Sequence, residues 1–311
     1  MATTEQLQER IKELKKSKKA IILAHYYTRP EVQQVADFVG DSLQLARAAQ
    51  GTDADIILFA GVHFMGETAK VLSPDKKVLI PDPEAGCSLA DSCPADDFAR
   101  FIEAHPGHTV VSYVHTSVAV KALTDLVCTS SNALQVVSSI PESTPVIFGP
   151  DRNLGSYIKS MTGRKNMVIW DGACHVHERF SLEAILRLKS EHPGARVLVH
   201  PECKQQIVLI ADHVGSTAAL LDYARKSDAD EFIVVTEPGI IFKMQEACPD
   251  KRFIPAPPTD SSCACNDCSY MKLITLPKII DTLENELNAI EIPEEVAKKA
   301  IKPILRMLEI K

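Results

Sequence analysis

Residues 21–46 read IILAHYYTRPEVQQVADFVGDSLQLA. The pattern returns at 110–137 as VVSYVHTSVAVKALTDLVCTSSNALQVV and at 197–224 as VLVHPECKQQIVLIADHVGSTAALLDYA. Each stretch is an apolar strand, a polar tip, an amphipathic helix, a short apolar run and a small-residue turn that opens a second helix. The strand tips are Tyr27, Thr116 and Glu202 or their immediate neighbours, and the turn serines are Ser42, Ser130 and Ser216, a spacing of 88 and then 86 residues. Each copy continues into a further strand (IILFAG from Ile56, VIFG from Val146, FIVVTEPG from Phe232) and a last one (KVLIPD, NMVIWD, RFIPAP). Just past the last strand come Cys87, Cys174 and a cluster at Cys263, Cys265 and Cys268. A fixed long period marks repeated supersecondary units. The reading is an α/β protein of three similar three-layer αβα domains around a pseudo-threefold axis, which brings three equivalent loops, and three thiolates, to one place. The repeats divide the chain into 1–86, 87–173 and 174–268. Amphipathic helices over 277–311 pack on the outside, against the first repeat.

Composition narrows the function. The chain has 311 residues, 45% of them apolar, enough for a large core. No apolar run approaches the roughly 18 residues of a membrane span, and the first residues, MATTEQLQERIKELKK, lack the apolar core of a signal peptide. The cytoplasm is the expected compartment, and there nine cysteines point to metal or catalytic use rather than disulfides. A net charge of −7 argues against a nucleic-acid footprint.

Strands alternating with helices predict parallel sheets covered on both faces, whose ligands bind beyond the carboxyl ends of the strands. His25, Tyr27, Tyr113, His115, His200 and Glu202 all fall at such ends. His25 and His200 can orient substrate or shuttle protons, Glu202 is a candidate general base, and the tyrosines offer phenolic hydrogen bonds or simple packing. His175 and His177 flank Cys174, where hydrogen bonding behind a ligand and surface exposure are equally open. The turns at Ser42, Ser130 and Ser216-Thr217 each open a helix, whose free N–H groups suit phosphate or carboxylate; Ser and Thr are also ordinary caps there. With no GxGxxG or GxxxxGK[ST] motif, a small polyanionic substrate fits better than a nucleotide. Cys87 and Cys174, 87 residues apart, follow glycine-containing turns that suit iron–sulfur ligation. The third position is ambiguous, because Cys265-Asn-Asp-Cys268 is a CxxC pair that also reads as zinc or redox. Cys128 reads as a buried small hydrophobe, Cys248 as incidental, and Cys93 and Cys203 as breaking the repeat.

At these residues the sequence resembles the quinolinate synthase family. The resemblance runs in order through AHYY, VGDSLQLA, FAGVHFMGETAK, PDPEAGCSLAD, YVHTS, CTSSNA, FGPDRNLG, HVHERF, HPEC, GSTAAL, TEPGI and CSYMKLITL, nearly the whole chain. It implies a trilobed fold around one 4Fe–4S cluster with three cysteine ligands, Cys87, Cys174 and Cys268, and one open iron. It implies substrate contacts at His25, Tyr27, Ser42, Tyr113, His115, Ser130, His200, Glu202, Ser216 and Thr217, with Tyr27, Glu202 and His200 handling protons. The implied reaction condenses iminoaspartate with dihydroxyacetone phosphate to quinolinate, phosphate and two waters, an aspartate oxidase supplying the iminoaspartate. Two departures stand out. Ser269 replaces a proline after the third ligand, and His115 stands where members read Y-V-N-T-S; an imidazole matches the amide's donor–acceptor pair only in one neutral tautomer. Other trilobed cluster enzymes (reductive dehydratases, diphthamide-forming enzymes) and a non-catalytic protein with zinc at CACNDC are the alternatives.

Overall fold

The computed structural model describes residues 2–259 and 266–310; Cys263 and Cys265 lie outside these. Twelve strands are present among them: β1 (Ala20–His25), β2 (Phe38–Gly40), β3 (Ile56–Ala60), β4 (Lys77–Leu79), β5 (Thr109–Tyr113), β6 (Leu126–Cys128), β7 (Val146–Gly149), β8 (Met167–Ile169), β9 (Arg196–Val199), β10 (His213–Val214), β11 (Glu231–Val235) and β12 (Arg252–Pro255). They form three four-stranded sheets of the same order, β2-β1-β3-β4, β6-β5-β7-β8 and β10-β9-β11-β12, and every pairing is parallel. The register repeats as well. Leu23 faces Phe38, Val111 faces Leu126 and Leu198 faces His213, an offset of 15 residues each time.

The period-2 alternation of a strand explains how each sheet is buried on both faces. Leu23, Ile57 and Phe59 of the first sheet, Val111 and Phe148 of the second, and Leu198, Phe232 and Val234 of the third point into one shared core. Their neighbours Ile22, Ala24 and Leu58, then Val110 and Ile147, then Val197, Val199 and Ile233, point into three separate outer clusters. Helices Thr4–Ser17 and Leu276–Asn285 cover the outer face of the first sheet. The last helix, Glu294–Glu309, lies against both the first and second units, where Asn132 donates to Met307 O at 2.9 Å and Arg306 to Asp125 O at 3.1 Å. Among the described residues no helix is long and apolar enough to cross a membrane.

A small device locks each outer strand to its sheet. In the sequences ADFVG, TDLVC and ADHVG an aspartate stands just before the outer strand. Its carboxylate accepts the inner strand's N–H: Ile22 to Asp37 at 2.8 Å, Val110 to Asp125 at 2.9 Å and Val197 to Asp212 at 2.8 Å. Each aspartate's own N–H returns to the carbonyl of the same inner residue. Leaving one such N–H without a partner costs about 1–3 kcal/mol. Asp125→Ala is therefore expected to lower the melting temperature by a few degrees and to speed amide exchange at Val110; an unchanged melting curve would show that the pairing does not hold the edge.

Candidate active site

The equal registers place His25, Tyr113 and His200 at one position of the three sheets, and Tyr27, His115 and Glu202 two residues on. The second strand tip is thus His115, the immediate neighbour of Thr116. Thr116 turns back to donate to Tyr113 O at 2.9 Å, just as Thr28 donates to His25 O at 2.9 Å. Cys203 occupies the same slot in the third unit, so it follows the repeat and does not break it; its N–H bonds His200 O at 3.0 Å. Cys128 is fully buried, as read from the sequence, and Cys93 and Cys248 are buried as well.

All these strand ends open on one cavity, which is also lined by Ser42, Ser130, Thr217 and the three cysteines Cys87, Cys174 and Cys268. Ser216 is not among the lining residues. It sits one residue early, as the cap of helix Thr217–Lys226, accepting Ala219 N–H at 3.3 Å. The hydroxyl that reaches the cavity from this turn belongs to Thr217. Each turn hydroxyl touches a neighbouring unit: Ser42 Oγ lies 3.2 Å from His115 Nε2, Ser130 Oγ 3.2 Å from His200 Nε2, and Thr217 Oγ1 2.9 Å from the Tyr27 hydroxyl.

The histidines are neutral donors. His25 Nδ1 accepts Tyr27 N–H at 3.2 Å and His200 Nδ1 accepts Glu202 N–H at 3.4 Å, which leaves the proton of both rings on Nε2. Burial, helped by neighbouring histidines, pushes His25 down to about 3; for His200 burial outweighs the attraction of Glu202 and again gives about 3. Burial brings His115 down to about 4. Burial likewise holds the Tyr27 and Tyr113 phenols well above their ordinary value, so both carry their protons at neutral pH.

Glu202 is the one carboxylate at these tips, and it is 1% exposed. Burial works to keep it protonated. The attraction of His177, His200 and His115 outweighs burial and holds it well below the usual carboxylate range. His177 Nδ1 lies 2.9 Å from Oε2 and His115 Nδ1 3.8 Å from Oε1, yet neither carboxylate oxygen has an aligned hydrogen bond within the protein. A buried polar atom without a partner is costly; here two oxygens face a cavity and await a ligand. His177 is buried, which decides between the two sequence readings for it, and its ring stacks on His200 at 4.7 Å. His175 is half-buried, with Nδ1 2.6 Å from Ser88 Oγ.

Cys87, Cys174 and Cys268 stand alike. Each precedes a short helix, Ser88–Asp91, His175–Glu178 and Ser269–Lys272. Backbone N–H groups of that turn reach each sulfur: Leu89 and Ala90 at Cys87, His177 at Cys174, Tyr270 and Met271 at Cys268. Burial pushes the Cys87 thiol up to about 12 and Cys268 up to about 11, and holds Cys174 well above its ordinary value, so a bound cation is what would make them thiolates. Two of the loops hang on buried carboxylates that sequence reasoning missed. Asp151 Oδ2 accepts Cys174 N–H at 2.9 Å, and Glu237 Oε1 accepts Cys268 N–H at 3.2 Å while pairing with Lys272 at 2.7 Å.

The sulfurs are spread too widely for one ion. Among the described residues, the one group of three or more Cys, His, Asp or Glu with ligand atoms within 4.8 Å of one another is Cys174, His177 and Glu202. Two thiolates on a single zinc at about 2.3 Å each sit no more than about 4.6 Å apart. Three soft sulfurs, each receiving N–H groups and spread around one cavity, suit a larger iron–sulfur group.

A profile of the family described as NadA, quinolinate synthetase A protein, matches residues 9–309. The chain belongs to the quinolinate synthase family. Proteins named quinolinate synthase from Nostoc punctiforme and Thermosynechococcus vestitus are 55% and 54% identical to it, each over 96% of this chain and over 92% and 94% of their own lengths. The one from Chloroherpeton thalassium is 53% identical over 97% of this chain and 94% of its own. Family membership thus agrees with the resemblance in the cavity-facing segments.

The buried imidazoles predict an acid-sensitive fold. Unfolded, each binds a proton near pH 6.5; folded, His25 and His200 do so only near 3. Between those values the unfolded chain binds more protons, so their stabilisation is complete above about 6.5 and is lost as pH falls towards 3. The melting temperature is expected to drop from pH 7.5 to 5, and to drop less in His25→Asn. Equal slopes for the two proteins would remove His25 from this account.

Proposed function

We propose that this chain is a quinolinate synthase built as three three-layer αβα units about a pseudo-threefold axis. It holds one 4Fe–4S cluster on Cys87, Cys174 and Cys268, and condenses iminoaspartate with dihydroxyacetone phosphate to quinolinate, phosphate and two waters. The observation that carries the reading is the meeting of three N–H-supported cysteines, one from just past the last strand of each sheet, at the cavity that holds Glu202. When bound, the cluster supplies a Lewis-acid iron with an open position. The protein's own groups account for the rest. Neutral His25 and His200, with N–H on Nε2, donate to substrate oxygens. Ser42, Ser130 and Thr217, at the cavity mouths of their turns, bind phosphate and carboxylate groups. Glu202, ionised and facing the cavity, takes the proton that must leave the substrate carbon or nitrogen. Tyr27, protonated, gives a proton to a departing oxygen. Sealing the cavity from bulk water protects an imine that water would hydrolyse. A cytoplasmic location and an aspartate oxidase supplying iminoaspartate complete the proposal.

A second reading is a single metal ion on Cys174, His177 and Glu202, whose ligand atoms already lie within 4.8 Å. Anaerobic reconstitution with iron and sulfide, followed by metal and sulfide analysis and a quinolinate assay, separates the two. About four irons with sulfide and quinolinate formed support the cluster enzyme; one tightly held metal without sulfide overturns it.

Four variants extend the test. Cys87→Ala, Cys174→Ala and Cys268→Ala should each abolish the cluster's visible absorption; a full cluster in Cys268→Ala would move the third ligand to Cys263 or Cys265. Glu202→Gln keeps the shape but takes no proton. It should retain cluster and product binding while turnover falls by at least about a hundredfold. Turnover within about threefold of wild type would take Glu202 out of the chemistry.

A further inference from the structure

Tyr27 and Glu202 share one backbone slot, and in both the carbonyl of that slot is held from another unit. Lys272 Nζ donates to Tyr27 O at 2.7 Å, and Asn153 Nδ2 donates to Glu202 O at 3.0 Å. Both donors are also tied to a cysteine loop. Lys272 ends the short helix after Cys268 and pairs with Glu237, which accepts the Cys268 N–H. Asn153 Nδ2 donates as well to Glu178 Oε1 at 2.6 Å, at the end of the short helix after Cys174. The Asn153 N–H donates at 2.7 Å to Asp151, which accepts the Cys174 N–H. Each link thus runs from the cysteine just past one sheet to the tip of another, from the third sheet to the first and from the second to the third. Neither Lys272 nor Asn153 is among the residues lining the cavity. The tip of the second sheet is held otherwise, with Val118 N–H donating at 2.9 Å to Glu67 of helix His63–Leu72.

We propose that Asn153 and Lys272 are positioning residues for the reaction, each carrying the placement of a cysteine loop to the backbone from which Glu202 or Tyr27 projects. The donor chemistry suits that task. An amide can face two acceptors at once only through its NH2 group, and Asn153 spends both hydrogens, one on Glu178 and one on Glu202 O. Lys272 makes charge-assisted bonds to a carboxylate and a carbonyl, which are stronger than neutral ones. Where the clamps act also matters. The Tyr27 hydroxyl and the Glu202 carboxylate are the atoms that must exchange partners with substrate, so contacts at those atoms cannot hold the residues in place throughout a turnover. A clamp on the carbonyl holds the residue and leaves its reactive atoms free. The cysteine loops, once fixed by their metal group, would then set where the base and the acid stand. An acid or base about 1 Å out of place loses up to about a hundredfold in rate.

The inference rests on Glu202 and Tyr27 as the working groups, and its test is built to fail separately from that reading. Asn153→Leu keeps the volume and removes both donors. Lys272→Met does the same at the other tip, and Lys272→Arg keeps the donors. In the cluster-loaded enzyme Asn153→Leu and Lys272→Met are each expected to lower kcat by about ten- to a hundredfold, with KM within about threefold of wild type and iron content unchanged. Lys272→Arg should stay within about threefold of wild type in kcat. Wild-type kcat in either Asn153→Leu or Lys272→Met overturns the proposal. So does a loss that follows the iron content, or one as large in Lys272→Arg as in Lys272→Met, since the residue would then be structural. Hydrogen–deuterium exchange examines the clamps without turnover. The tip amides to follow are Thr28, which donates to His25 O at 3.1 Å, and Cys203, which donates to His200 O at 3.0 Å. Asn153→Leu is expected to speed exchange about tenfold at Cys203 and to leave Thr28 within about twofold, and Lys272→Met should do the reverse. Either variant loosening both tips alike, or neither, overturns the clamps. If wild type takes up no cluster or forms no quinolinate, the functional reading fails, and exchange at Thr28 and Cys203 still decides whether the clamps exist.

Discussion

A carboxylate sealed from water organises this site. Burying an ionised group without partners is prohibitive, so Glu202 at 1% exposure demands that other elements come to it. His177 reaches it from the helix after Cys174 and His115 from the tip of β5, while its own unit supplies His200 behind it. The three sheets therefore cannot slide past one another without stranding a charge. Tyr27, held between Thr217 and Thr236 of the third unit, ties the first unit into the same knot.

The cysteine loops show the same economy with a difference among them. Asp151 and Glu237 follow the ends of β7 and β11 at matching positions and hold the N–H of Cys174 and Cys268. In the first unit the matching position is Val62, buried and apolar. The three cysteine positions are thus alike in backbone and unlike in what stands behind them.

Much of this was legible in the chain. Strand, tip, turn and cysteine recur with residue types that can be read by eye, and parallel sheets oblige the tips to face one end. The errors have local causes. Ser216 and Thr217 are adjacent hydroxyls, and pattern alone cannot say which one caps the helix and which one turns inward. Sequence spacing locates the second tip only to Thr116 or a neighbour, and pairing register selects His115. His177 and Thr236 carry no periodic signal, and only packing brings each to its partner, while Asp151 and Glu237 recur at matching positions but the first repeat breaks the series with Val62. The aspartates before β2, β6 and β10 do carry a signal, D-x-V three times over, which passes unnoticed when attention rests on apolar residues.

Tyr27, His115 and Glu202 occupy one backbone slot in three copies. A phenol, an imidazole and a carboxylate descend into the same space from scaffolds that hydrogen bonding makes interchangeable. The fold therefore behaves as a socket repeated three times, into which unlike reagents have been fitted. Change at one socket leaves the other two in register, so a chain of this kind can alter its chemistry one reagent at a time.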